Sequence, residues 1–223
     1  MVDGVLPCVE VEPETEARAS IVWMHGLGAD GHDFESIVPE LGLRDLGVRF
    51  VFPHAPSIPV TLNMGMLMPA WYDIKEIDLR RQHDEDGIRK SADDIEALIA
   101  REKERGVPAE RIVVAGFSQG GAMALHVGLR HAESLAGILA MSTYLVCEDK
   151  VESELSAANR ETPIFQAHGT VDPMVPCDRG QAAHDRLIEL GYTVEWHDYP
   201  MQHQVCMEEI QAASTWLRAR FAP

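Results

Sequence analysis

A chain of 223 residues, 46% hydrophobic and 25% charged, has the makeup of a globular protein with one substantial core and excludes a disordered or fibrous one. Its 36 Asp and Glu residues against 19 Lys and Arg leave a formal charge of −17, which repels phosphate backbones and anionic headgroups and excludes nucleic acid as the expected partner. No stretch approaches the roughly 20 apolar residues of a membrane span, and the start MVDGVLPCVEVEPETE lacks the cationic head and long apolar run of a secretory signal, so a cytoplasmic protein without integral membrane association is expected.

PCVEVEP, near Pro7, reads as an edge hairpin. SIVWM from Ser20 is a continuous apolar run of the kind found in parallel strands covered on both faces. Directly after it, HGLGADG places Gly26, Gly28 and Gly31 in the order G-x-G-x-x-G, the spacing of a dinucleotide loop. Two other readings compete: a simple tight turn, or a loop presenting bare backbone N–H groups to some other negative charge. A helix is expected from Asp33 to Leu41, then the strand VRFVFP from Val48. That strand lacks the acidic residue a ribose needs near its end, which removes the nucleotide reading.

Residues of about 54–83 form a connection longer than linkage requires and read as a lid-like insertion in a single domain spanning 1–223. Met64, Met66, Leu67, Met68 and Trp71 within it argue for order, since so many large apolar side chains are expected to bury. The helix Asp84 to Glu104 follows, with Ile95, Leu98 and Ile99 as its apolar stripe, acids early and bases late. Then come the strand RIVVAG from Arg111, a helix Gln119 to His131, the strands LAGILAMS from Leu135 and PIFQAHG from Pro163, a helix Arg179 to Glu189, the strand YTVEWHDY from Tyr192 and a helix Glu208 to Arg220. This rhythm predicts an α/β fold with a mostly parallel central sheet and helices on both faces. Cys8, Cys147, Cys177 and Cys206 have no C-x-x-C spacing and are expected to be free, mostly buried thiols.

The chemistry centres on Gly116, Ser118 and Gly120, a G-x-S-x-G pattern between a strand and a helix. In such a nucleophile elbow the serine sits in a strained turn, with its hydroxyl held above the sheet and a helix N-terminus beside it. A serine hydroxyl needs a base, and the base a carboxylate. In the order Ser, acid, His, the candidates are Asp172 in the Gly-Thr-Val-Asp-Pro turn and His203 between the last strand and the last helix. His168 lies too near its strand, His197 lies inside one and His54 precedes the serine; Asp178 reads as a helix cap and Asp198 as a strand end. HGLGADG then falls where an elbow enzyme takes its second oxyanion donor, and the donors are assigned to the backbone N–H groups of Leu27 and Gln119, with Gly26 and Gly28 clearing the loop's approach.

The blocks HGLGADGHDF, FPHAP, AWYDI, GFSQGGAMAL, MSTYL, HGTVDPMVP and YPMQHQVCMEEI, in this order over nearly the whole chain, resemble the phospholipase/carboxylesterase branch of the α/β-hydrolases, which includes bacterial carboxylesterases and acyl-protein thioesterases. The resemblance implies nucleophile Ser118, acid Asp172, base His203 and donors Leu27 and Gln119, with no metal or cofactor. It further implies that the methionine-rich segment folds over the site, with Leu67, Trp71, Tyr144, Met174 and Val175 as walls of an acyl channel, and it is compatible with a homodimer. The expected function is a serine carboxylesterase acting on small ester or thioester substrates of short to medium acyl chain. The alternatives are an acyl-protein thioesterase or lysophospholipase acting on long chains, with a lipidated protein as partner, and a catalytically inactive binding protein of the same fold.

Overall fold

The apolar runs become the strands. A computed structural model describes residues 5–75 and 83–222. In chain order it contains β1 (Cys8–Val11), β2 (Ala19–Met24), α1 (Val38–Leu41), β3 (Val48–Pro53), β4 (Ser57–Val60), β5 (Met66–Pro69), α2 (Glu85–Glu104), β6 (Ile112–Phe117), α3 (Gln119–Gly128), β7 (Gly137–Met141), α4 (Glu148–Glu154), β8 (Ile164–Gly169), α5 (Cys177–Glu189), β9 (Val194–Tyr199) and α6 (Met207–Phe221). Seven strands make one sheet in the order β1-β3-β2-β6-β7-β8-β9, parallel throughout except for antiparallel β1. This is the α/β-hydrolase architecture.

The sheet is buried on both faces because side chains alternate along each strand. Val22, Met24, Val114 and Ile138 pack on one side with Ile95, Leu98 and Ile99 of α2 and Met123 of α3. Ile21, Trp23, Phe50, Val113 and Leu139 pack on the other with Leu41 of α1 and Trp216, Leu217 and Phe221 of α6. Among the described residues no helix is long and apolar enough to cross a membrane.

The structure corrects several expectations. β1 is not half of a hairpin: it pairs antiparallel with β3, which lies much farther along the chain. The helix expected from Asp33 shrinks to a 3-10 turn (Glu35–Ile37) and the single turn of α1, because Pro39 withholds an N–H and Gly42 ends the turn at φ 59°. α3 ends at Gly128 and not at His131, its last carbonyls being taken up by a tightened turn. Only Cys147 of the four free thiols is buried; Cys8, Cys177 and Cys206 are half-buried.

Part of the long segment at 54–83 forms an antiparallel hairpin of β4 and β5, while residues 76–82 of it, like residues 1–4, lie outside the described residues. Trp71 is buried and Met68 half-buried, but Met64, Met66 and Leu67 are exposed, at 95%, 60% and 69%. Two strands alone offer no second layer for those side chains to bury against.

The connectivity creates the site. From β2 the chain moves to β3 on one side, then returns to β6 on the other, so the loops leaving β2 and β6 diverge and open a crevice at the C-terminal ends of the strands. The loops after β8 and β9 reach the same edge.

α6 begins just after that edge and carries a buried acid, Glu209, whose two carboxylate oxygens have no hydrogen-bond partner among the described residues. Burial pushes its carboxyl up from 4.5 to about 8, against a weaker pull from the nearby Cys206 backbone N–H. A carboxyl whose folded value is raised stabilises the fold fully below the unfolded value, and that contribution is lost as pH rises from about 4.5 through about 8. Urea melts are therefore expected to show Glu209→Gln gaining on the parent by a few kcal/mol between pH 5 and pH 8; a constant gap across that range contradicts the account.

Candidate active site

Ser118 follows β6 at φ 56° and ψ −121°, a strained geometry for a side chain with a Cβ, and α3 starts at the next residue. Two glycines make the turn possible. A Cβ on Gly116 would stand 2.3 Å from the Gly120 backbone, and one on Gly120 would stand 2.3 Å from the Met24 carbonyl oxygen at the end of β2. The elbow is thus pressed against the HGLG loop. The Ser118 N–H donates to Met141 C=O at 2.9 Å, and its own C=O accepts from the Ala122 N–H and the Thr143 hydroxyl.

His203 sits between β9 and α6, and its Nε2 lies 2.9 Å from Ser118 Oγ. The turn that carries it rests on the end of β8, where a Cβ on Gly169 would meet the Met201 and Gln202 carbonyls at 2.4 and 2.5 Å. The Phe117 ring packs on the imidazole, centroid to centroid 4.7 Å.

Asp172, on the loop after β8, has a fully buried side chain. Its Oδ2 lies 2.6 Å from His203 Nδ1, while Oδ1 accepts from the Met174 and Val175 backbone N–H groups at 2.8 and 2.9 Å. A carboxylate so held stays an acceptor, which places the imidazole proton on Nδ1 and leaves Nε2 to accept from the serine.

The other candidate histidines are bonded elsewhere. His168 bonds the Val175 C=O at 2.8 Å and lies 3.7 Å from Asp172, beyond hydrogen-bond range; burial holds its pKa below the usual value, so it stays neutral. His54 accepts from the Gly31 N–H, and His197 pairs with Glu195 and stacks on Phe165. Asp178 lies in the first turn of α5 and Asp198 within β9.

A cavity of about 520 Å³ opens over Ser118 and His203 and has mostly apolar walls. Leu27 and Gln119 both border it; Gln119 is the first residue of α3, where helix geometry leaves the N–H without an intrahelical acceptor. The loop's glycines divide the work differently from the expectation. Gly28 has φ 78° and Gly31 lies so near the Phe52 carbonyl that a Cβ would clash at 2.5 Å, whereas a Cβ on Gly26 would meet Phe117 and Ser118 only at 3.4 and 3.5 Å.

Of the residues expected in the walls, Tyr144, Met174 and Val175 border the cavity. Leu67 and Trp71 do not: the first is exposed on β5, and the second is drawn inward, its indole N–H donating to His25 C=O at 2.9 Å. Leu62, Ile74 and Phe117 border it without having been singled out. Phe117 is the x of G-x-S-x-G, and that position was a readable signal. A larger, more polar groove of about 620 Å³, bordered by Glu148, Asp149, Arg179 and Arg186, holds none of Ser118, Asp172 or His203.

Residues 7–220 match the family model described as Phospholipase/Carboxylesterase. The chain is 46% identical over 212 residues to acyl-protein thioesterase 1 of Neurospora crassa, covering 91% of this chain and 86% of that protein. It is 41% identical over 219 residues to acyl-protein thioesterase 1 of Gibberella zeae, covering 94% and 93%. The crystal structure of Arabidopsis thaliana SOBER1 superposes with a TM-score of 0.85 at 32% identity, covering 92% of this chain and 99% of that one.

Proposed function

The chain belongs to the phospholipase/carboxylesterase family and is a serine hydrolase of its carboxylesterase and thioesterase class, and from that premise we propose that it removes long acyl chains from acylated proteins. Ser118 is the nucleophile, His203 the base, Asp172 the acid that orients it, and the N–H groups of Leu27 and Gln119 the oxyanion donors. The observation that carries this reading is the 2.9 Å contact between Ser118 Oγ and His203 Nε2 at the floor of an apolar cavity.

The chemistry runs in two halves. As Ser118 Oγ attacks the acyl carbon, its proton passes to His203 Nε2, and the carbonyl electron pair moves onto oxygen, where the Leu27 and Gln119 N–H groups stabilise it. The tetrahedral centre collapses, the bond to sulfur or oxygen breaks, and His203 returns the proton to the leaving thiol or alcohol. Water then repeats the sequence on the acyl-enzyme: it gives a proton to Nε2, attacks the same carbon, and Ser118 leaves with that proton. Asp172 accepts from Nδ1–H throughout and keeps the ring in the useful tautomer.

The sequence placed esters of short to medium acyl chain first. The fungal relatives, called acyl-protein thioesterase 1, favour the long-chain alternative. So does the mouth of the cavity, where Leu62 and Met174 are 41% and 68% exposed and extend apolar surface outward from the serine. A series of S-acylated peptides from acetyl to palmitoyl tests the choice. Each buried methylene is worth about 0.8 kcal/mol, so kcat/KM is expected to rise up to about fourfold per added carbon until the cavity is filled. An optimum at acetyl or butyryl would return the protein to the small-ester reading.

A further inference from the structure

His25, the first residue after β2, is 2% exposed and touches neither Ser118 nor His203 in any hydrogen bond, yet its ring makes two bonds with the backbone of the site. Nε2 lies 3.1 Å from the Ala55 backbone nitrogen, and Nδ1 lies 2.7 Å from the Gly26 carbonyl oxygen. A backbone N–H can only donate, so Nε2 is the acceptor; the ring proton is then on Nδ1 and is given to Gly26 C=O. Burial, the larger influence, lowers the pKa of His25 and keeps the ring neutral.

The consequence lies in the next atom pair. In a trans peptide the C=O and the following N–H point in opposite directions. With the Gly26 C=O turned inward to the imidazole, the Leu27 N–H is turned the other way, toward the cavity that Leu27 borders with Ser118. We infer that His25 is a positioning residue that locks this one peptide so that the Leu27 N–H faces the oxygen of the bound acyl group, an inference that rests on the assignment of Ser118 and Leu27 proposed above.

Trp71 extends the lock to the second donor. Its indole N–H holds the His25 C=O at 2.9 Å, its backbone N–H donates to the Gln119 side-chain Oε1 at 2.8 Å, and Gln119 Nε2 returns a bond to the Tyr72 C=O at 2.8 Å. Two residues earlier, the Pro69 C=O accepts from the Gly28 N–H at 2.8 Å. The stretch from Pro69 to Tyr72 therefore fastens the Leu27 loop and the first residue of α3 to a common support. The Ser91 hydroxyl anchors that support by donating to Trp71 C=O.

Three variants of the full chain test the inference. In His25→Asn the side-chain amide nitrogen stands near the place of Nδ1 and can still donate to Gly26; in His25→Gln the amide reaches toward Ala55 and leaves Gly26 without its donor. Trp71→Phe keeps a large ring and removes only the indole N–H. His25→Gln is expected to lose about 10²–10³-fold in kcat, the loss seen when one oxyanion donor is removed, with KM little changed. His25→Asn is expected to recover at least tenfold of that loss, and Trp71→Phe to lie between Asn and the parent. Affinity for a long-chain alkyl boronic acid, which becomes tetrahedral on Ser118, is expected to fall in step with kcat, while affinity for a long-chain alcohol stays level.

Equal losses in Asn and Gln, a loss carried by KM, or equal weakening of both inhibitors would overturn the inference. So would parental kcat in His25→Gln. Should His25→Gln fail to fold, Trp71→Phe decides by the same kcat and boronic-acid readouts. Activity surviving in Ser118→Ala would instead overturn the reading beneath it.

Discussion

Replacing Ser118 with alanine is expected to lower kcat by about a million-fold and to leave the protein folded. The catalytic loss follows from removing the only group of the proposed relay that can bond to the acyl carbon; the two amide donors and the apolar cavity remain and account for the residual rate. The fold is expected to persist because, among the described residues, the hydroxyl bonds only to His203, while the contacts that hold the turn belong to the backbone: Ser118 N–H to Met141, and Ser118 C=O to Ala122 and Thr143. The strained φ of 56° is a property of the turn and costs alanine much what it costs serine. Hydrolysis of a palmitoyl thioester, read beside the thermal melt, checks both halves. Activity within tenfold of the parent contradicts the assignment.

Asp172→Asn is expected to cost about 10⁴-fold in kcat, the loss a wrong imidazole tautomer causes in serine proteases. The structure supplies the reason in detail. Oδ1 accepts from two backbone N–H groups, those of Met174 and Val175, so the amide of an asparagine turns its oxygen to them and its NH₂ toward His203. Nδ1 must then accept, the ring proton moves to Nε2, and Nε2 donates to Ser118 where it had accepted. The base is switched off with no atom displaced. Asp172→Ala, which dictates no tautomer, is expected to retain more activity than the asparagine variant, and the reverse order in steady-state kinetics contradicts this account.

Both outcomes rest on residues legible in the sequence, and the reason is topological. A parallel strand buried on both faces must be a continuous apolar run, so SIVWM, VRFVFP, RIVVAG and PIFQAHG stand out against their helices. Loops leaving the same ends of such strands share one edge, which turns the chain order of Ser118, Asp172 and His203 into proximity. What stayed hidden depends on contacts that no local pattern carries. α4 buries Val151 alone in its seven residues and so has no apolar stripe. The hairpin of β4 and β5 leaves Met64, Met66 and Leu67 in solvent, against the rule that large apolar side chains bury. Trp71 was expected in the wall because the family resemblance folds the methionine-rich segment that contains it over the site. Its position is set by bonds to His25 and Gln119, residues more than forty positions away on either side. The His25 tautomer likewise follows from Ala55, thirty residues on.

Activity losses in variants report on Ser118 indirectly; covalent capture reports on it directly. The parent protein treated with a long-chain fluorophosphonate and mapped by mass spectrometry is predicted to carry one adduct, on Ser118, formed at a rate that collapses in His203→Ala. An unmodified protein, or an adduct on another residue with Ser118 untouched, would contradict the claim that His203 makes this serine a nucleophile.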